Sequence, residues 1–172
     1  MRAVLHDEVD RDAIDDAAHR LEWQLVNVIA AAHGRPEQLI FATRSGHVFL
    51  VNDERLGVSY LQGESLQGAL PCYGAEDHHA LCASDDLETI RRGLALTVLC
   101  ASGPDEARVA LLGRALASSD ENVRKAAFVA ITYAPWPELV PHVEAMRDGD
   151  PQSELREGAA RWLATVCPTV CP

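Results

Sequence analysis

The sequence carries very little positive charge. Only one of its 172 residues is lysine, Lys125, and 15 basic against 26 acidic residues give a formal net charge of −11. Nucleic acids and anionic membrane surfaces are bound by clustered positive charge. We therefore expect no nucleic-acid partner and no membrane partner, and we expect no complex with DNA at physiological salt.

The sequence also lacks a long apolar run. No stretch approaches the roughly 20 apolar residues that a membrane-spanning helix needs. The first ten residues already contain Asp7, Glu8 and Asp10, without the apolar segment that is typical of a secretory signal. A cytoplasmic location with reduced thiols is therefore the expectation.

Motifs of known catalytic sites are missing as well. The sequence has no glycine-rich phosphate loop and no serine in a G-x-S-x-G elbow. His19, His33 and His47 are isolated from other candidate catalytic residues in the sequence. These observations predict a protein that is not an enzyme and that needs no cofactor.

The first 84 residues predict a small α+β unit. Apolar residues recur at three- and four-residue spacing and predict a helix from Asp12 to Ala32. Runs of β-branched and aromatic residues, bounded by glycine and aspartate, predict an antiparallel meander that the helix covers on one face. The three predicted strands are Leu39–Thr43, His47–Asn52 and Gly57–Gln62. Residues 65–84 have the composition of a loop.

From residue 85 onward the sequence contains an internal repeat. Three similar segments lie 33 and 32 residues apart: Ile90-Arg91-Arg92-Gly93-Leu94, Val123-Arg124-Lys125-Ala126-Ala127 and Leu155-Arg156-Glu157-Gly158-Ala159. Acidic residues precede each segment, and an apolar helical pattern follows it. Second helices are predicted between the segments, at Glu106–Ala117 and Glu138–Arg147. Two helices in each unit of this length indicate a helical repeat.

The repeated segments resemble HEAT repeats, in particular the short HEAT-like repeats that also occur in phycobilin lyases. The resemblance implies a mainly α fold. In it, an α-solenoid of three HEAT-like repeats (residues 85–166) follows the α+β unit (residues 1–84) and precedes a flexible tail (residues 167–172). It also implies aspartate–arginine pairs that order the stack: Asp86–Arg91, Asp120–Arg124 and Asp150–Arg156. If Arg124 pairs with Asp120 or with an acid of the next unit, Arg124→Ala should destabilise the protein by about 1–3 kcal/mol.

The resemblance also suggests a function. Stacked repeats form long curved surfaces, which predicts a non-enzymatic binding or adaptor protein that recognises a protein or a peptide. Trp136 lies in a rigid segment, Ala134-Pro135-Trp136-Pro137, which either presents it as an anchor or folds it over the core. Arg108, Arg114 and His142, on the second helices, complete the candidate binding residues. A lyase-like enzyme is a less favoured alternative.

One loop contains residues of the types that bind zinc. Cys72, His78, His79 and Cys82 form a C-x5-H-H-x2-C pattern, and zinc is bound by cysteine and histidine in such loops. The usual paired spacing of zinc ligands is absent. A polar loop with two partly buried cysteines is therefore the alternative interpretation.

The C-terminus repeats Thr-Val-Cys-Pro in tandem, at residues 165–168 and 169–172. Proline disfavours helix and sheet, so we expect Val166–Pro172 to be disordered and dispensable for folding. Cys167, Thr169 and Cys171 are candidate modification sites, because a folded domain with such a tail resembles precursors of ribosomally made, modified peptides. A frayed end with incidental cysteines is the other interpretation.

Overall fold

Five antiparallel strands and seven α-helices make up the fold, in a computed structural model that describes residues 1–32, 34–64, 66, 68–74 and 76–167. The strands are β1 (Arg2–Val4), β2 (Gln24–Ile29), β3 (Glu37–Thr43), β4 (Gly46–Asp53) and β5 (Val58–Gln62). They form one sheet in the order β1-β5-β4-β3-β2. The predicted meander is therefore confirmed as β3, β4 and β5, but a further strand lies on each side of it.

Most of the helices follow the sheet in the chain. They are α1 (Arg11–Arg20), α2 (His78–Cys82), α3 (Leu87–Leu99), α4 (Glu106–Leu116), α5 (Glu121–Ile131), α6 (Val140–Gly149) and α7 (Ser153–Val166), with a 3-10 turn at Pro137–Leu139 before α6. The helices predicted from the repeat are confirmed as α3 to α7. The short helix α2 lies in the segment that was predicted to be a loop.

Aspartates begin several of these helices. The carboxylates of Asp10, Asp86, Asp105 and Asp120 each accept a backbone N–H from the first turn of the helix that follows, at 2.7–2.9 Å. Such N-caps satisfy amides that have no partner inside the helix. The acids that precede the first two repeat segments therefore cap their own helices and do not pair with the arginines of those segments.

The prediction of a mainly α solenoid is wrong. The structure is 47% helix and 20% strand, and its five-stranded sheet makes it a mixed α/β fold. Part of the error lies in the predicted helix from Asp12 to Ala32. The helix ends at Arg20, Glu22 adopts a left-handed backbone conformation with φ of 57°, and the chain continues as β2. Both β-branched residues and backbone pairing with β3 favour a strand here.

The sheet and the repeat helices share one apolar core. Val4, Val51, Val58 and Tyr60 of the sheet belong to the same buried cluster as residues of α3 to α7. A second buried cluster lies on the other side of the sheet, where α1 packs against β3, β4 and β5. The helices therefore cover one face of the sheet near β1, β5 and β4, and α1 covers the opposite face.

Polar contacts reinforce this shared core. Tyr133, just after α5, donates a hydrogen bond of 2.6 Å to Asp53, a carboxylate that is only 2% exposed at the end of β4. Arg92 of α3 forms an ion pair with Asp7, and Arg91 donates to the carbonyl oxygens of the β4–β5 turn. Arg91 thus connects α3 to the sheet, and the predicted Asp86–Arg91 pair is not formed.

The arginine of the second repeat segment does reach an acid of the next unit. Arg124 donates to Asp150 with Nε at 2.8 Å and Nη2 at 3.3 Å, so the expected pairing across units is confirmed. The pair Asp120–Arg124 is not formed. Arg156 contacts the backbone carbonyl oxygen of Asp150 at 2.6 Å and not its carboxylate. Arg91, Arg124 and Arg156 therefore each bind backbone carbonyl oxygens, and of the three only Arg124 pairs with an acid of the next unit, so they form no regular ladder.

The last helix continues further than the sequence predicts. α7 includes Val166, and the amide of Cys167 donates to the carbonyl oxygen of Leu163 at 2.8 Å. The expectation of disorder for Val166–Pro172 is therefore wrong for Val166 and for Cys167, whose amide is bound to the end of α7, and residues 168–172 lie outside the described residues. No helix in the described part of the chain is both long enough and apolar enough to span a bilayer.

Candidate functional site

Exposed apolar side chains are concentrated at one edge of the sheet. In the described part of the chain, the exposed large apolar residues are Met1, Leu21, Leu25, Val26, Val28 and Ile29. All but Met1 lie in β2 or just before it. We call these five residues, Leu21, Leu25, Val26, Val28 and Ile29, the β2 edge patch.

The β2 edge patch is exposed on both faces of the sheet. Leu25 pairs with Phe41 and Val28 with Leu39, two buried residues on the face that α1 covers. Ile29 follows Val28 and therefore points to the other face. Val28 is still 51% exposed, because no residue of β2 belongs to the core under α1 or to the core under the repeat helices.

A β-bulge interrupts β2 near its middle. The pairing register shifts between Leu25 and Asn27, so Val26 is an additional residue in β2. A bulge increases the local twist and redirects a side chain. The segment from Asn27 to Ile29 pairs with β3 in regular register. This segment is the part of β2 best placed to accept another strand.

The outer backbone of β2 lies at the edge of the sheet, with no strand beside it among the described residues. Proteins usually protect such edges with charged residues, prolines, β-bulges, very short strands or a covering element. In β2 the bulge at Val26 protects only the first half of the strand, since Asn27–Ile29 keeps its regular pairing with β3. The opposite edge follows this rule, since β1 has three residues and contacts α3. By contrast β2 has six residues, none of them charged and none of them proline. Its edge has the properties of a surface that binds another strand.

Charged groups flank the strand β2 at its two ends. Before the strand, Glu22 forms an exposed ion pair with Arg44 of the β3–β4 turn. After the strand, the exposed Arg35 lies in a turn that backbone hydrogen bonds between Ala32 and Arg35 close. An extended partner would therefore meet an uncharged strand with the Glu22–Arg44 ion pair at its start and the guanidinium of Arg35 beyond its end.

Trp136, the candidate anchor, lies at the opposite edge of the sheet from β2. It is half-buried and packs against the shared core. With Met1, Arg2 and Tyr133 it lines an open groove of about 520 Å³. This packing agrees with the interpretation that the loop folds Trp136 over the core. Its role as a binding anchor stays a prediction.

The other candidate binding residues are not brought together. Arg108 pairs with Asp105 at the start of α4, whereas Arg114 is exposed beside Cys82. His142 packs between α6 and α4, where a Cβ on Gly113 would lie 2.5 Å from its ring. His142, Arg114 and Trp136 each line a different groove. A joint binding role for these residues stays a prediction without geometric support.

The candidate zinc ligands are also dispersed. Cys72 packs against the core under α1, whereas Cys82 packs against the core of the repeat helices. His78 is buried and stacks on the exposed His79, with ring centroids 4.2 Å apart. Among the described residues no three histidine, cysteine, aspartate or glutamate side chains are placed to hold a metal ion. The structure therefore offers the zinc hypothesis no set of ligands.

Burial lowers the reactivity of three cysteine thiols. Burial raises the pKa of the thiols of Cys72 and Cys100, and it raises the pKa of Cys82 to about 11. A thiol with a raised pKa is protonated at neutral pH and is a weak nucleophile. Cys72, Cys82 and Cys100 are therefore poor candidates for covalent catalysis.

Only the first of the candidate modification sites lies in the described part of the chain. Cys167 is exposed directly after α7. Thr169 and Cys171 lie outside the described residues. The hypothesis of a modified peptide tail therefore stays a prediction.

The sequence analysis does not predict the β2 edge patch, because the pattern of residues 21–29 predicts a helix there. The helical spacing is that of Leu21, Leu25, Val28 and Ile29. Three β-branched residues within four uncharged positions, Val26, Val28 and Ile29, are the signal that favours a strand. Its exposure was not visible in the sequence, because it depends on the position of β2 at the edge of the sheet.

Comparison with protein-family models, with curated proteins and with solved structures found no match for this chain. The resemblance to HEAT-like repeats thus has no support from a family model.

Proposed function

We propose that this protein binds another polypeptide through the free edge of β2 and acts by this binding without catalysing a reaction. The single observation that carries the proposal is that β2 has no charge and four apolar residues exposed on both faces, with one side of its backbone at the sheet edge. An extended partner segment would add a strand to the sheet. Strand addition uses backbone hydrogen bonds for affinity and alternate side chains for specificity.

The apolar area of the β2 edge patch is large enough to support such binding. Fully burying a valine, leucine or isoleucine side chain contributes about 1.5–3 kcal/mol. The four patch residues of β2 are 39–51% exposed. Covering them would contribute on the order of 4 kcal/mol, before the hydrogen bonds of the added strand and the entropic cost of association are counted. Apolar contact and backbone pairing together favour a specific complex.

The charge of the protein favours a polypeptide over an anionic partner. The net charge of −11 repels nucleic acids and anionic lipids. The strand itself carries no charge, so a partner strand needs no particular charge of its own. A short uncharged segment rich in apolar side chains is the chemistry that fits.

A charge placed in the β2 edge patch is expected to abolish partner binding. Tagged wild-type protein, Val28→Lys and Ala110→Lys would be used to capture proteins from cells that produce this chain, with quantification by mass spectrometry. Ala110 is exposed on α4, so Ala110→Lys adds the same charge far from β2. We expect a partner that the wild type and Ala110→Lys retain and that Val28→Lys loses at least about tenfold, because lysine protects strand edges.

The same experiment can contradict the proposal. If the three baits capture the same proteins in the same amounts, β2 is not the binding surface. Untagged copies of the chain itself are quantified separately from other proteins, so that self-association and binding to a different partner are distinguished.

A further inference from the structure

A segment that pairs with the free edge of β2 has to match three properties of this strand. It must bring a free backbone edge, apolar side chains on both of its faces and no charge against the centre of β2. Among the described strands, β2 itself has all three properties. β3, β4 and β5 are paired on both sides, and β1 is short and contacts α3.

Two copies of β2 are complementary in an antiparallel arrangement. A two-fold axis through Val28 sets Val28 against its own symmetry mate, and Asn27 of one copy against Ile29 of the second copy. Directly opposed residues of antiparallel strands share a face of the sheet. We call the paired segments Asn27–Ile29 of the two copies the seam. Each face of the seam therefore receives apolar side chains from both copies. The seam lies in the regularly paired segment after the bulge at Val26.

The flanking charges also match across this axis. An antiparallel pairing brings the start of one β2 beside the end of the other. Glu22 of one copy then lies at the end that leads to Arg35 of the second copy, and the symmetry repeats the contact. Glu22 already pairs with Arg44 of its own chain through Oε2, so Oε1 is the oxygen that would accept from Arg35. Arg35 takes part in no ion pair within the described residues, so it is available for this contact. The remaining negative charge of each chain is screened over about 8 Å at physiological salt.

We infer that the partner bound by β2 is a second copy of this chain, and that the two sheets join through antiparallel β2–β2 pairing into one continuous sheet. The inference rests on the proposed function, because it names the occupant of the same edge. A two-fold arrangement of this kind is the commonest symmetry of soluble oligomers. The interface is small, so the dimer dissociates reversibly.

Sedimentation equilibrium of the purified full-length protein tests this inference. We expect the wild type and Ala110→Lys to reach twice the chain mass of 18.7 kDa as concentration rises through the micromolar range. Val28→Lys, and independently Val28→Glu, should remain at the mass of one chain, because the two-fold axis at Val28 sets two like charges directly opposite each other. Circular dichroism and melting of both variants should match the wild type, since the Val28 side chain is about half exposed.

A second variant tests the antiparallel arrangement. Arg35→Glu should raise the dissociation constant roughly tenfold, because it sets a carboxylate near Glu22 of the second copy at both ends of the seam. An unchanged dissociation constant would contradict the antiparallel pairing.

Other outcomes separate this inference from the proposed function. A wild type that stays at one chain mass at every concentration overturns the dimer, and a dimer that Val28→Lys leaves intact does the same. The proposed function fails on a different result, namely capture that does not depend on β2. A monomeric wild type that captures another protein through β2 would therefore contradict the dimer and leave the proposed function standing.

Discussion

Replacement of Arg124 by alanine is expected to lower the free energy of unfolding by about 3–5 kcal/mol. The side chains of Arg124 and Asp150 are 9% and 2% exposed, so the variant leaves a carboxylate buried without its cation. Arg124 also donates to the carbonyl oxygens of Ser118 and Ser119 at the end of the preceding loop, and these contacts are lost too. The burial seen in the structure raises the expected cost above the 1–3 kcal/mol that the sequence suggests.

Urea unfolding of the wild type, Arg124→Ala and Lys125→Ala measures this effect. Lys125 is the neighbouring residue on α5, and its ion pair with Glu121 is largely exposed, so Lys125→Ala should change stability little. If Arg124→Ala unfolds at the same urea concentration as the wild type, the buried pair does not stabilise the helices.

The cost of Arg124→Ala should also depend on pH. Burial by itself raises the pKa of the Asp150 carboxyl, but the hydrogen bonds from Arg124 and from the amide of Gln152, with the charge of Arg124, hold it below its usual value. A lowered pKa in the folded state stabilises the fold above the unfolded pKa of about 3.9, and this stabilisation is lost as the pH falls through the folded pKa. The difference in free energy of unfolding between the wild type and Arg124→Ala should therefore become smaller below about pH 4.

Replacement of Gly93 by alanine is the second change with a large expected effect. Gly93 lies in α3 directly under α2, and a Cβ there would lie 2.6 Å from Sγ of Cys82 and 2.7 Å from its backbone nitrogen. The backbone of α2 would have to move, and overpacking of this kind costs about 1–3 kcal/mol. The melting temperature should fall accordingly.

The matched control for this change is Gly103→Ala. No atom lies within 4 Å of a Cβ placed on Gly103, so this variant should melt close to the wild type. Equal melting temperatures for Gly93→Ala and the wild type would show that α2 does not pack tightly against α3.

The repeat helices could be predicted from the sequence because several local signals agree there. Asp86, Asp105 and Asp120 mark helix starts as caps, and apolar residues continue with helical spacing after each of them. The strands β3, β4 and β5 were predictable for a similar reason, since glycine and aspartate separate their β-branched runs. Local chemistry determines these elements, and tertiary contacts agree with it.

The sheet edge could not be predicted in the same way. Residues 21–32 satisfy a helical spacing, but pairing of β2 with β3 and the left-handed backbone of Glu22 decide the outcome. The sequence does not decide whether Arg124 pairs with Asp120 or with an acid of the next unit, because this choice depends on how α5 and α7 pack. The β2 edge patch depends on the order of strands in the sheet, which no short stretch of sequence specifies.

Amide hydrogen exchange along β2 tests most directly whether its free edge accepts a strand of a second copy. The exchange of Gln24–Ile29 would be resolved by NMR at low and at high protein concentration, for the wild type and for Val28→Lys. Amides that do not donate to β3 should exchange rapidly in dilute wild type and in Val28→Lys, and should become protected in concentrated wild type. Equally rapid exchange in all samples would contradict strand pairing at β2.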